Sequence, residues 1–138
     1  MKVVINACFG GFGLSDSAVR RYCELKGIDV YQDSGNFGIT EYWTVPKSDR
    51  VKALPEPWFN NSEQSRKEYN RLYSGQCFFA TDIARDDKTL VQVVEELGEI
   101  ASGKFAKLTV VEIPDDVSWE ISEYDGNEHV NEVHRSWR

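Results

Sequence analysis

The spacing of apolar and polar positions divides the chain into a short series of elements. Val3-Val4-Ile5 is an unbroken β-branched run, the composition of a strand covered on both faces. From Ser15 to Lys26, the residues Ala18, Val19, Tyr22 and Leu25 recur at three- and four-residue steps, which predicts a helix with one apolar face. Ser15 is placed to cap it and Gly27 to end it. Ile28, Val30 and Tyr31 predict a short strand, Asp33-Ser34-Gly35-Asn36 a turn, and Phe37 to Val45 a second strand built on Ile39, Tyr42 and Trp43. Pro46, Pro55 and Pro57 make Pro46 to Asn61 a loop. Asn61 or Ser62 then caps a polar helix running to about Tyr73, in which Tyr69, Leu72 and Tyr73 pack and which Gly75 stops. Cys77-Phe78-Phe79-Ala80 has the composition of a short buried strand.

The clearest helix is Asp86 to Ser102, capped by Asp86 or Asp87, with Leu90, Val93, Val94, Leu97 and Ala101 in one stripe. Gly98 within it suggests that another backbone passes close. Leu108 to Ile113 is a core strand, and Pro114-Asp115-Asp116 a turn. Val117, Trp119 and Ile121 alternate with polar residues, as on a half-buried strand. Asp125-Gly126 is a tight-turn signal, so Glu128 to Trp137 is expected to return as the partner strand. Val130, Val133 and Trp137 also stand at helical steps, and a terminal helix is the alternative. These elements describe an α+β fold in a single domain, 1–138. It has an antiparallel or mixed sheet, two principal helices packed on one face, and a C-terminal hairpin.

Charge and composition narrow the function. A net charge of −7 argues against a DNA or RNA binder but leaves room for a local cationic patch and a small anionic ligand. The 3 cysteines are scattered, with no C-x-x-C pair, which points to reduced thiols in a cytosol and no metal site. No leader and no membrane-length apolar run is present, so a soluble intracellular protein is expected. An aromatic content of 12% suits stacking or oligomer contacts.

The chemistry concentrates where the first strand ends. Phe9-Gly10-Gly11-Phe12-Gly13 leads from that strand to the Ser15 cap. Glycine N–H groups beside a helix N-terminus can hold an anion, and Phe9 and Phe12 can offer faces to a base. The spacing is neither G-x-G-x-x-G nor a Walker loop, and by itself it leans to a tight turn whose phenylalanines plug the core. Arg85 can pair with phosphate or form a salt bridge with Asp82 or Asp86. His134 and Arg135 can line a pocket or sit on an exposed terminal strand. Asp115-Asp116, after a proline, fits a turn better than a pair of catalytic acids, and Cys8 stands too far from the helix start to be activated by it. No coherent catalytic set emerges.

Several stretches together resemble a family of short bacteriophage and prophage proteins. They are Val4-Ile5-Asn6 with Cys8 to Ser15, Arg85-Asp86 with Leu90 to Gly98, Val111 to Ile121, Glu123 to Gly126, and His134-Arg135 with Trp137. The resemblance is to the first Thoeris anti-defence family. It covers both ends of the chain and leaves about 32–81 as an insertion outside the family pattern. It implies a viral sponge in the host cytoplasm, without catalytic activity or cofactor. Such a protein binds a cyclic ADP-ribose signal made by a TIR enzyme and holds it intact. It also implies a homo-oligomer, dimer or hexamer, some members of which hold cyclic oligonucleotides at a second site. Read from the residues themselves, the ligand set that could meet this demand is Asn6 (an adenine edge or a ribose hydroxyl), Phe9, Gly10, Gly11, Phe12, Gly13, Arg85, His134 and Arg135, with no DNA, RNA or membrane partner. A small nucleotide hydrolase and a protein-binding inhibitor are the competing functions.

Overall fold

The computed structural model describes residues 1–35, 38–134 and 137. Its framework is strand β1 (Lys2–Asn6), whose Val3 to Asn6 are all buried. The fold is α+β, with 3 helices, and every strand pairing among the described residues is antiparallel. The expected continuous sheet is replaced by three two-stranded ladders. Helix α1 is Asp16–Lys26. Strands β2 (Tyr31–Ser34) and β3 (Thr40–Trp43) pair with each other. Helices α2 (Glu63–Gln76) and α3 (Lys88–Leu97) follow. Strand β4 (Leu108–Glu112) pairs with β1, with Val4 opposite Val110, and β5 (Trp119–Tyr124) pairs with β6 (Asn127–Glu132) as the terminal hairpin. Chain contacts gather into two compact units, Met1–Gly27 with Ala80–Arg138, and Ile28–Phe79.

In the first unit α3 lies against β1 and β4, and α1 packs on α3. Leu90, Val91, Val93 and Val94 of α3 are buried there, with Ala18, Val19, Tyr22 and Cys23 of α1. Cys23 takes the buried place expected of Leu25, whose side chain reaches the surface. Asp87 ties the helices together. Its carboxylate caps α3 through the N–H groups of Thr89 (2.8 Å) and Leu90 (3.0 Å), accepts from the Tyr22 hydroxyl at 3.0 Å, and faces Lys26 at 3.4 Å. Burial, reinforced by that carboxylate, pushes the Tyr22 hydroxyl up to about 12.

In the second unit, the Asp33-Ser34 pair expected in a turn belongs to β2, and β3 is shorter than the stretch expected from Phe37, a residue outside those described. Gly75 does not stop α2, which runs through it to Gln76. Cys77 to Ala80 is no strand; Cys77 makes one isolated bridge, to Trp43. The aromatic residues form this unit's core: Tyr73 meets Trp43 edge-on at 5.3 Å and stacks with Tyr69 at 6.0 Å. Among the described residues no helix is long and apolar enough to cross a membrane.

The expected long helix ends at Gly98, where the chain turns into a 3₁₀ segment, Gly98–Ala101. No other backbone crowds Gly98; it is needed because its φ is +60° and its ψ −132°, a conformation that disfavours a side chain. Gly98→Ala is therefore expected to lower the unfolding free energy by roughly 1–3 kcal/mol while preserving the fold. A urea titration monitored by circular dichroism measures this, and an unchanged midpoint would refute the assignment.

Candidate functional site

The first strand ends in a buried polar junction. Asn6 has no solvent exposure. Its amide donates to the carbonyls of Cys8 (2.9 Å) and Gly126 (2.7 Å), and its Oδ1 accepts from the Lys107 N–H (2.7 Å) and the Cys8 thiol (3.3 Å). Two donors and two lone pairs are thereby used, so Asn6 has no capacity left for a ligand. Its backbone N–H donates to Glu128 Oε1 at 2.8 Å. Asn6 thus fastens β1, the turn before β4 and the hairpin turn at Asp125-Gly126, rather than reading an adenine edge.

Arg85 completes the junction. Its guanidinium makes a two-pronged pair with Glu128, at 2.7 and 2.9 Å, donates to the Val4 carbonyl at 3.3 Å, and lies 3.5 Å from the centre of the Phe12 ring. Its carboxylate partner is thus Glu128, not Asp82 or Asp86, and it comes from the far end of the chain. Burial works to raise the Glu128 pKa, but hydrogen bonds from Arg85 and the Asn6 N–H outweigh it and hold the carboxyl below the ordinary glutamate range. Phe12 is the flat seat of this guanidinium, so its cation-facing side is occupied within the protein.

The glycine loop is closely approached, as its composition predicts, but by this chain's own backbone. A Cβ on Gly10 would stand 2.0 Å from the Phe105 carbonyl oxygen. One on Gly126 would stand 2.7 Å from the Gly11 nitrogen. The Gly103 N–H donates to the Gly13 carbonyl at 2.9 Å. Gly10, with Gly126 and Gly103 opposite the loop, therefore lets it seat between the hairpin turn and the turn before β4, while Gly11 supplies a φ of +133°.

Phe9 points the other way and is 67% exposed, touching Tyr124 edge-on at 6.5 Å. It stands on the wall of a surface cleft of about 690 Å³. Cys8, Ser102, Lys104, Phe105 and Lys107 also line this cleft, with Glu99 as a single opposing charge. Phe105 is 70% exposed, and the Lys104 ammonium lies 5.4 Å from its ring centre. Since Gly10 abuts the Phe105 backbone, the segments carrying the two rings are locked together. His134 lies elsewhere: strand β6 starts at the hairpin turn and carries the chain roughly 20 Å away from it. Arg135 lies outside the described residues.

Lys104, Phe105 and Lys107 are absent from the ligand set drawn from the sequence. Their signal is present as Lys-Phe-Ala-Lys directly after Gly103, cations alternating with a ring, but it follows a helix end and has no motif. In the expected acidic turn, Asp115 accepts from the N-terminal ammonium. Among the described residues no cluster of three or more His, Cys, Asp or Glu side chains could hold a metal ion. Compared with known protein families, with curated proteins and with solved structures, the chain matches none.

The junction yields a stability prediction. Glu128→Gln leaves the half-buried Arg85 without its counter-charge, and the expected loss is roughly 3 kcal/mol in urea denaturation at pH 7. Because the folded pKa of Glu128 lies below its unfolded value, its contribution is complete above about pH 4.3 and fades as the pH falls through the folded pKa. The difference between wild type and Glu128→Gln should therefore shrink in acid. A gap that stays constant from pH 7 to pH 3 would contradict this assignment.

Proposed function

We propose that the chain is a capture protein. It binds a cyclic ADP-ribose-type nucleotide signal and sequesters it without degrading it, which would block TIR-driven Thoeris immunity in the host cytoplasm. One observation carries this: the cleft beside the glycine loop brings two exposed phenylalanine rings and two exposed lysines to one concave surface. A base is held by stacking, and phosphates by cations, so this pairing of groups matches a nucleotide. The volume falls within the range of small-molecule sites.

The contact groups differ from those expected at the loop. Phe9 remains in the ligand set and Phe105, Lys104 and Lys107 join it. Asn6, Arg85 and Phe12 build the support beneath. Sequestration needs affinity and no chemistry, and stacking with cation contacts supplies affinity. Retention also asks that the walls not move, and the loop wall is backbone packed on backbone.

The test is capture and release. The protein is incubated with cyclic ADP-ribose isomers, freed of unbound ligand, heat-denatured, and the released material analysed. Intact ligand is expected. Altered ligand would indicate a hydrolase, and no ligand a protein-binding inhibitor; either would overturn the proposal. Phe9→Ala and Phe105→Ala should each weaken capture roughly ten- to a hundred-fold in calorimetric titration, the loss of one stacking contact, with the melting temperature little changed. Affinity unaltered in both variants would remove the cleft from consideration.

A further inference from the structure

The cleft beside the glycine loop carries one group that phosphate binding does not use. Its lining includes a single carboxylate, Glu99, together with the ammonium groups of Lys104 and Lys107. All three residues are exposed. Yet among the described residues no ion pair joins Glu99 to either lysine, and Lys104 lies over the Phe105 ring instead. The backbone of Glu99 is held. It belongs to the 3₁₀ segment Gly98–Ala101, closed by the Ser102 N–H, which donates to the Glu99 carbonyl at 3.1 Å. Ser15 pins the same segment, its N–H donating to the Ala101 carbonyl at 2.9 Å and its hydroxyl to the Ile100 carbonyl at 2.5 Å.

Side chains three apart in a 3₁₀ turn stand on one side of it, which sets Ser102 beside Glu99, and both line the cleft. The Ser102 oxygen accepts from the Leu108 N–H at 3.0 Å, so its own proton is left to donate. An ionised carboxylate can only accept. It repels phosphate, so a nucleotide seated on the lysines satisfies Glu99 only by bringing a donor to it. The ribose that carries the stacked base offers two hydroxyls on adjacent carbons. The two carboxylate oxygens can take one each, in charge-assisted bonds, whereas the adenine amine presents a single N–H to any one edge. A carboxylate so placed also separates a free ribose from a 2′-phosphorylated one, as acidic residues do in dinucleotide sites built on other folds.

We propose that Glu99 is the specificity-determining residue of the cleft. Its carboxylate accepts from the 2′- and 3′-hydroxyls of that ribose and so selects a nucleotide in which this diol is free. The proposal rests on the nucleotide reading above. The probe is ADP-ribose, compared in calorimetric titration with its 2′-deoxy and 2′-phosphate analogues, against the wild type and Glu99→Gln. The quantity read is a ratio of dissociation constants. ADP-ribose and its 2′-deoxy analogue carry the same charge, so the general electrostatic effect of removing a carboxylate cancels in their ratio. The wild type is expected to bind the 2′-deoxy analogue roughly ten-fold more weakly than ADP-ribose. It should bind the 2′-phosphate analogue more weakly still, although that ligand is the most anionic of the set. In Glu99→Gln both preferences should fall toward unity, with an unchanged circular dichroism spectrum. A wild-type ratio of one, or a ratio that survives Glu99→Gln, would overturn this inference and leave the nucleotide reading standing. A wild type that binds none of these ligands at millimolar concentration would overturn both.

Discussion

The interaction on which the first unit depends is the carboxylate of Glu128, buried between the Asn6 N–H and the Arg85 guanidinium. Strand β1 has a ladder partner on one side only, β4. Its other edge would leave buried N–H groups unpaired, at a cost comparable to a lost hydrogen bond each. The Val4 N–H is met by the Arg85 carbonyl at 2.8 Å, and the Asn6 N–H by Glu128. A side-chain carboxylate thus stands where a neighbouring strand would put a carbonyl. The hairpin of β5 and β6 is held to β1 at this point by Glu128 instead of by a continuous ladder, so the first unit has two short ladders in place of one sheet.

That carboxylate brings its counter-charge with it. A buried anion needs a cation and further donors, and Arg85 supplies two N–H groups to Glu128 while resting on the Phe12 ring. Fixing Glu128 also fixes the Asp125-Gly126 turn just before it. Gly126 then bears on Gly10 and Gly11 so closely that a Cβ on it would stand within 3.0 Å of both backbones. The glycine loop, seated from beneath, turns Phe9 outward. The cleft is the outer face of a loop whose inner face is held by backbone and by the junction.

Elements whose cause is local were legible in the sequence. Ser15 caps α1 through the Ala18 N–H because a serine before an apolar-periodic run can do little else, and Asp125-Gly126 makes the hairpin because both adopt positive φ. The single-residue errors arose where two causes give one signal. Gly98 was open to either a close approach or a positive φ, and composition does not separate these. Arg85 had two nearby acids in sequence, yet 43 residues separate it from the glutamate it pairs with. The glycine loop is expected from its composition to hold an anion, and nothing local shows that Gly126 and Phe105 of the same chain stand against it. The lysines of the cleft carry no motif in the sequence because their meaning depends on Phe9, brought beside them only by the fold.

A locally cationic cleft on a protein of net charge −7 also has a kinetic consequence. At physiological ionic strength the screening length is about 8 Å, so carboxylates farther than that from the cleft act only weakly on an anion seated there. Lys104 and Lys107, in contact range, escape that screening. The distant negative charge therefore lowers the rate at which an anionic ligand arrives more than it weakens the hold once the ligand is seated. Affinity in such a site is set by slow departure, which stacking between held rings and close cations both favour. For the retention proposed for this chain, departure is the rate that matters, and an acidic surface is compatible with it where two lysines outnumber the single Glu99 at the cleft.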